Sequence, residues 1–260
     1  MENQNRKLFF LVALPRSGNT LFASIMNQNP EIAVTANSVT LEIIKNLYLI
    51  KTTDTFQNFP DHKSLDNILN NVYNLYYKDW PQRIIIDRGP VMLSGNPGNF
   101  ELMQKHFKPG FKCIILLRDL MDVFASYIKW YTENPDSFVN KLGKTDEEKI
   151  LALMKKEGAI VKQIKSIQTA HNYPNMCHFI RYDDMAANPE KIFQELYKFL
   201  EEPYYPHYFE NLKQININDM KYNDTVEGKN MHTIRTTVRK ETNNYIVPKS
   251  IREKYGHIKI

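Results

Sequence analysis

The feature that most constrains the fold is a short apolar run near the start of the chain that leads directly into a glycine-containing loop. Residues 8–14 (LFFLVAL) are continuously apolar, and Pro15 and Gly18 follow at once. A run of this length with such a boundary is typical of a buried strand. Beyond Gly18 the apolar residues recur every three to four positions: Leu21, Phe22, Ile25 and Met26. This change of period predicts a strand, a loop and then a helix.

The same order of strand, turn and helix recurs along the chain. Further strands are predicted at residues 83–87 (RIIID), 112–117 (KCIILL) and 176–180. Helices are predicted at residues 39–50, 65–77, 99–107, 120–130 and 146–169 and after Pro189. This alternation favours a single α/β domain with a mostly parallel central sheet, helices on both faces and a P-loop-like nucleotide-binding core. Residues 219–260 have few periodic signals, so we expect a loop-rich closing segment there.

Composition narrows the class of protein. A chain of 260 residues with 42% hydrophobic and 24% charged residues suits one folded domain and excludes wholesale disorder. The excess of basic over acidic residues is 34 − 29 = 5, and the basic residues are spread along the chain. Such a small excess suits a small anionic ligand, and we expect no nucleic-acid partner.

The cysteines, histidines and apolar runs predict a reduced, metal-free protein without a membrane span. Cys113 and Cys177 are far apart in sequence, and the seven histidines show no HxH or HExxH spacing. We therefore expect buried, reduced thiols and no metal site. The apolar run at residues 8–14 is far shorter than the ~20 residues needed to cross a bilayer, and the N-terminus lacks a signal pattern. These features predict a cytoplasmic location.

The loop after the first strand predicts an anion site. In residues 13–20, Gly18 and Thr20 occupy the positions of the second Gly and the Ser or Thr of a Walker A loop, but its Lys is replaced by Asn19. Unpaired N–H groups at a helix N-terminus bind anions, and Arg16 adds a cation. The missing Lys argues against a nucleoside triphosphate with magnesium. The alternative is that Ser17 or Asn19 only caps the helix.

A second anion site is predicted where the strand at residues 112–117 ends. Arg118 follows that strand directly, and Ser126 lies eight residues later on the predicted helix. Arginines at the carboxyl ends of strands point into the crevice where open α/β sheets bind ligands. The alternative is an ion pair of Arg118 with Asp119 or Asp122.

Three segments together resemble one enzyme family. They are PRSGNTL at residues 15–21, RDLMDVFAS at residues 118–126 and RYDDMAANPEKIFQELYKFLEEP at residues 181–203. In order and spacing they resemble the phosphosulfate loop, the 3′-phosphate motif and a third shared block of sulfotransferases, and they are similar to the bacterial-type and tyrosylprotein-type branches. The resemblance implies the donor 3′-phosphoadenosine 5′-phosphosulfate (PAPS), the product adenosine 3′,5′-bisphosphate (PAP) and no metal.

The resemblance also implies which residues contact the donor. The 5′-phosphosulfate would be held by the first loop: Arg16, Ser17, Gly18, Asn19, Thr20 and Leu21. Arg118 and Ser126 would hold the 3′-phosphate, and Tyr182 would contact adenine, with a core tyrosine as the alternative. A basic loop at residues 232–240 (HTIRTTVRK) would close over the donor through Arg235 and Arg239, unless it is only a solvated loop.

Sulfuryl transfer needs positive charge where negative charge grows and a base for the proton of the acceptor. Arg88 resembles the Lys of the DKxP-type segment of the family, which implies that it stabilises the bridging oxygen. The Glu that serves as base in tyrosylprotein-type enzymes is replaced by Asn37 here. We take Asp87 as the first candidate base and Glu42 as the second. The alternative for Asp87 is a pair with Arg88 or a cap on the next turn.

The sequence thus predicts a PAPS-dependent sulfotransferase that acts on a hydroxyl group, less favourably an amine, of a small-molecule, glycan or peptide acceptor. Two other functions stay open. A P-loop kinase of small molecules would need magnesium and a lysine at position 19. A non-catalytic nucleotide-binding protein would keep the cradle without a base.

Overall fold

Five strands form one sheet within residues 6–36, 38–89, 98–107, 112–155, 158–220, 234, 236–239 and 244–260, which the computed structural model describes. The strands are β1 (Lys7–Ala13), β2 (Ile32–Val34), β3 (Ile84–Asp87), β4 (Cys113–Leu117) and β5 (Cys177–Arg181). The α-helices are α1 (Asn19–Met26), α2 (Thr40–Leu49), α3 (Asp54–Asn58), α4 (His62–Tyr76), α5 (Gly98–His106), α6 (Leu120–Glu133), α7 (Asp146–Leu153), α8 (Ala159–Ala170), α9 (Tyr182–Ala187), α10 (Pro189–Leu200) and α11 (Lys249–Tyr255).

The sheet has the order β2-β3-β1-β4-β5, and every pair of neighbouring strands is parallel. Successive residues of a strand point to opposite faces of the sheet, and helix residues bury both faces. Along β1, Phe10 and Val12 belong to one buried cluster, whereas Phe9 and Leu11 belong to another. The predicted α/β fold with a parallel sheet is therefore confirmed.

The strand order creates a crevice between the carboxyl ends of β1 and β4. The chain leaves β1 toward β2 on one side of the sheet, and it continues from β4 toward β5 on the other side. Open α/β sheets bind their ligands at such a switch point, outside the carboxyl ends of the strands. The register pairs Ala13 with Leu116, so both strands end at the same level.

The short helices α3 and α9 were not predicted, and three further parts of the chain differ from the sequence-based expectation. The edge strand β2 was not predicted, because its three residues are too few to show a period. The long helix expected at residues 146–169 is two helices, α7 and α8, with Gly158 as the N-cap of α8. A Cβ atom at Gly158 would lie 2.5 Å from the Leu153 carbonyl oxygen, so the chain turns tightly there. The closing segment contains α11, whose Ile251 is buried in the core.

Cys113 and Cys177 pair in the register of β4 and β5, and both are buried and unbridged, as expected. Burial raises the pKa of the Cys113 thiol. Within the described segments, no helix is long and apolar enough to cross a membrane.

Candidate functional site

The loop between β1 and α1 adopts a backbone that few side chains tolerate. Arg16 has φ +67° and Gly18 has φ +88°, both in the left-handed region. Gly18 is the N-cap of α1, and no side chain caps the helix. The side-chain amide of Asn19 instead donates to the Leu14 carbonyl at 3.1 Å. The alternative that Ser17 or Asn19 merely caps α1 is therefore wrong.

The loop also contains buried polar atoms without a protein partner. Ser17 is fully buried and Asn19 is almost so. Ser17 Oγ and Asn19 Oδ1 have no hydrogen-bond partner among the described residues. Thr20 and Leu21, in the first turn of α1, are half-buried. Because unpaired buried polar groups are costly, a ligand with polar oxygens and donors would suit this loop.

The two predicted anion sites are in direct contact. Arg118 Nη1 donates to the Arg16 carbonyl oxygen at 2.6 Å, and Arg16 Nε donates to Ser126 Oγ at 3.1 Å. Arg118 and Ser126 are both buried. Each site therefore holds a group of the other, and together they form one crevice at the carboxyl ends of β1 and β4.

The carboxylate that follows Arg118 has a local structural role. Asp119 is the N-cap of α6, and its Oδ1 accepts hydrogen bonds from the Met121 and Asp122 backbone N–H groups at 2.8 and 3.3 Å. This cap explains why α6 begins directly after β4. It holds the helix that carries Ser126 at a fixed distance from the strand end.

Tyr182 lies beside both sites. It is the first residue of α9, directly after β5, and it is 8% exposed. The Arg118 guanidinium carbon lies 4.5 Å from the centre of its ring. A Cβ atom at Gly18 would lie 2.7 Å from Tyr182 Cδ2, so the absence of a side chain at Gly18 makes room for the ring. Tyr182 is thus buried, as its alternative interpretation expected, but it lies against both anion sites.

The structure places Asp87 in the core, and its predicted role as the base stays a prediction. Its side chain is fully buried, and Oδ2 accepts a hydrogen bond from Thr40 Oγ1 at 2.8 Å and another from the Tyr77 hydroxyl. The Tyr77 hydroxyl also approaches Ser38 Oγ at 3.2 Å. Burial raises the pKa of Asp87. These hydrogen bonds give Asp87 a structural role, and its full burial leaves it less accessible to an acceptor than an exposed carboxylate would be.

Arg88 fastens the segment between β2 and α2 to the end of β3. Its backbone N–H donates to Thr35 Oγ1 at 2.7 Å, and its Nη1 donates to the Ala36 carbonyl at 3.0 Å. The Ser38 N–H donates to the Arg88 carbonyl at 2.9 Å. The start of α2 therefore lies beside Arg88. Glu42, in the first turn of that helix, is exposed.

The predicted closing loop is described only in part. Arg235 and His232 lie outside the described residues. Asn37, which belongs to the earlier segment between β2 and α2, also lies outside them. Arg239 is exposed, and its neighbour Val238 donates through its backbone N–H to the Phe209 carbonyl at 2.9 Å. The role predicted for Arg235 and Arg239 stays a prediction.

Sequence reasoning missed the residues that support the site. Thr35, Ser38, Thr40 and Tyr77 hold Asp87 and Arg88 in place, but no motif marks them. The three hydroxyl residues within residues 35–40 (TANSVT) are the one local signal that could have been used. Ser and Thr are frequent where side chains bond to nearby backbone.

Comparisons with known proteins agree with this fold. A family model described as "Sulfotransferase domain" matches residues 6–258. A solved sulfotransferase domain from the curacin biosynthetic pathway superposes with a TM-score of 0.60 at 17% identity, covering 98% of this chain and 92% of that chain.

Two further solved structures are similar. The sulfotransferase domain of the Synechococcus PCC 7002 olefin synthase has a TM-score of 0.55 at 14% identity and covers 87% of this chain and 85% of that chain. A sulfotransferase from Alicyclobacillus acidocaldarius has a TM-score of 0.50 at 17% identity and covers 84% and 87%, respectively. At these identities the structures show the fold alone. No curated protein sequence matches the chain. Because the family model spans residues 6–258, the chain belongs to the sulfotransferase domain family.

Proposed function

We propose that the protein transfers a sulfuryl group from PAPS to a hydroxyl group of an acceptor, which is a small molecule, a glycan or a peptide. The observation that carries this proposal is the contact between the two anion sites, the 2.6 Å hydrogen bond from Arg118 to the Arg16 carbonyl. A donor with phosphates at both ends of one adenosine requires two anion sites in one crevice. Family membership supports the same reaction.

The residues present fit the donor. The partnerless Ser17 Oγ and the N–H groups at the start of α1 would face the 5′-phosphosulfate, and the missing side chain at Gly18 allows close approach. Arg118 and Ser126 would hold the 3′-phosphate. When bound, PAPS supplies a sulfuryl group whose bond to the 5′-phosphate oxygen breaks as the acceptor oxygen bonds to sulfur.

In this proposal the chain supplies charge and a proton acceptor. Arg16 and Arg88 follow β1 and β3, and they would stabilise the negative charge that grows on the phosphate oxygen. Arg88 would supply charge and not a proton, because a guanidinium group stays protonated in proteins. Between the two candidate bases we now favour Glu42, because it is exposed beside the segment fastened to Arg88, whereas Asp87 is fully buried. The proton of the acceptor would pass to the Glu42 carboxylate.

The first test measures the donor site and the reaction separately. Calorimetry should show that PAP binds with a Kd of about 10 µM or tighter. Labelled PAPS should then transfer its sulfuryl group to at least one member of a panel of phenols, alcohols, amines, saccharides and tyrosine peptides. Absence of PAP binding would contradict the proposal. Binding without any transfer would instead favour the non-catalytic nucleotide-binding protein, and magnesium-dependent use of ATP would favour the kinase.

Replacing Glu42 by Gln tests the proposed base. We expect the transfer rate to fall about 100-fold, since general base catalysis typically contributes 10²–10⁴-fold, while PAP binding stays within about threefold of wild type. Glu147, exposed in the first turn of α7, provides the matched control as Glu147→Gln. Equal rates for Glu42→Gln and wild type would exclude Glu42 as the base.

A further inference from the structure

The ring of Tyr182 contacts both halves of the proposed donor site. Its Cδ2 and Cε2 atoms lie so close to Gly18 that a Cβ atom there would be 2.7 and 3.0 Å away. The Arg118 guanidinium lies over the same ring at 4.5 Å. Tyr182 is 8% exposed and Arg118 is 7% exposed. One aromatic ring therefore contacts both the loop after β1 and the arginine after β4.

The ring orients Arg118 through its face. A guanidinium group stacks on an aromatic ring through a cation–π interaction, which strengthens when both partners are buried. Oriented in this way, Arg118 donates to the Arg16 carbonyl at 2.6 Å and supports the left-handed backbone of Arg16 at φ +67°. The position of the Tyr182 ring thus affects the Arg16 backbone in the first anion site through Arg118.

We propose that Tyr182 is a positioning residue that sets the spacing of the two anion sites through its ring, and that it thereby makes the site selective for adenosine 3′,5′-bisphosphates over adenosine 5′-phosphate. The proposal rests on the proposed function. It differs from a contact between the tyrosine hydroxyl and adenine, because the ring alone is required. A phenylalanine should therefore serve, and an aliphatic side chain should not.

The test is calorimetric titration of PAP and of adenosine 5′-phosphate into wild type, Tyr182→Phe and Tyr182→Leu. We expect the preference for PAP over adenosine 5′-phosphate to fall about tenfold in Tyr182→Leu, since a buried cation–π contact and its orienting effect are lost. Tyr182→Phe should restore the preference to within about threefold of wild type. Tyr208→Leu, at a tyrosine that is 78% exposed, is the matched control and should leave the preference unchanged. A merely structural role would lower stability without changing the ratio of the two affinities.

Two results would overturn the inference. The first is an unchanged preference in Tyr182→Leu, including the case in which both ligands lose affinity equally. The second is a loss in Tyr182→Phe as large as that in Tyr182→Leu, which would assign the role to the hydroxyl. If Tyr182→Leu does not fold, Tyr182→Met replaces it with an unbranched side chain of similar length. Absence of PAP binding in the wild type would instead contradict the proposed function itself.

Discussion

The two edges of the central sheet differ in the acceptors that their basic side chains contact. At the amino edge, Lys7, Arg83 and Lys112 lie at or just before the first residues of β1, β3 and β4, and each pairs with a glutamate. At the carboxyl edge, Arg16, Arg88 and Arg118 follow the same three strands, and one nitrogen of each guanidinium group donates to a carbonyl or hydroxyl oxygen. A carboxylate partner offsets the charge of a cation, whereas a carbonyl or hydroxyl partner orients a guanidinium group.

The amino edge shows what neutralised cations do. Glu202, whose side chain is 5% exposed, accepts from Arg83 at 2.5 Å and from Lys7 at 2.7 Å. Lys112 pairs with Glu201 at 2.7 Å. Since these glutamates directly follow α10, the ion pairs fasten that helix to the starts of three strands. Charge at this edge therefore stabilises the fold, whereas the arginines at the other edge lie at the proposed donor site.

The largest expected effect separates the two edges by mutation. Arg118→Ala should weaken PAP binding about 100-fold, because charge-assisted hydrogen bonds to phosphate are lost. Arg83→Ala should leave PAP binding unchanged and lower the free energy of unfolding by about 1 kcal/mol, because Glu202 loses one of the two ion pairs it makes with described residues. Calorimetry and urea unfolding of both variants measure this. Similar losses of binding in both variants would remove the distinction between the edges.

A second prediction concerns Asp87, which lies at the carboxyl edge of the sheet but, like the glutamates at the amino edge, stabilises the fold. Asp87→Ala should lower the free energy of unfolding by about 2 kcal/mol, because Thr40 and Tyr77 lose their buried acceptor. PAP binding should change less than about threefold. Asp87→Asn, which keeps one acceptor oxygen, should be less destabilised. A stable Asp87→Asn that binds PAP normally but has lost transfer would restore Asp87 as the base.

The smallest expected effect is in the pH dependence of stability. The hydrogen bond from Arg83 lowers the pKa of Glu202 below its ordinary value of 4.5. A carboxylate with a lowered folded-state pKa stabilises the protein above the unfolded value, and this contribution is lost as pH falls through the folded value. Arg83→Ala should therefore flatten the loss of stability below pH 4.5, measured by urea unfolding at a series of pH values. A slope in Arg83→Ala that stays parallel to wild type would count against the comparison.

Local patterns sufficed for the strands and for part of the site. β1, β3, β4 and β5 appear as short apolar runs, and the polar residues that follow them lie at one edge because parallel strands end together. The sequence alone therefore sufficed to predict that Arg16, Arg118 and Ser126 lie at the same edge of the sheet.

The remaining features depend on distant parts of the chain. Asp87 is buried because Thr40 and Tyr77, 47 and 10 positions away, bond to it. The stack of Arg118 on Tyr182 joins two strand ends, and β2 gains its identity only from pairing with β3. The break between α7 and α8 falls in a polar stretch, where too few apolar residues mark the end of one helix and the start of the next. Tertiary contacts of this kind leave no periodic trace in the sequence.

The central claim is that one crevice holds both ends of a doubly phosphorylated adenosine. A crystal structure with PAP bound tests it most directly. The account predicts the 3′-phosphate within hydrogen-bond distance of Arg118 and Ser126, and the 5′-phosphate against the backbone N–H groups of residues 17–20. A PAP molecule that contacts Arg16 or Arg118 through one phosphate only, or that binds away from both, would contradict it.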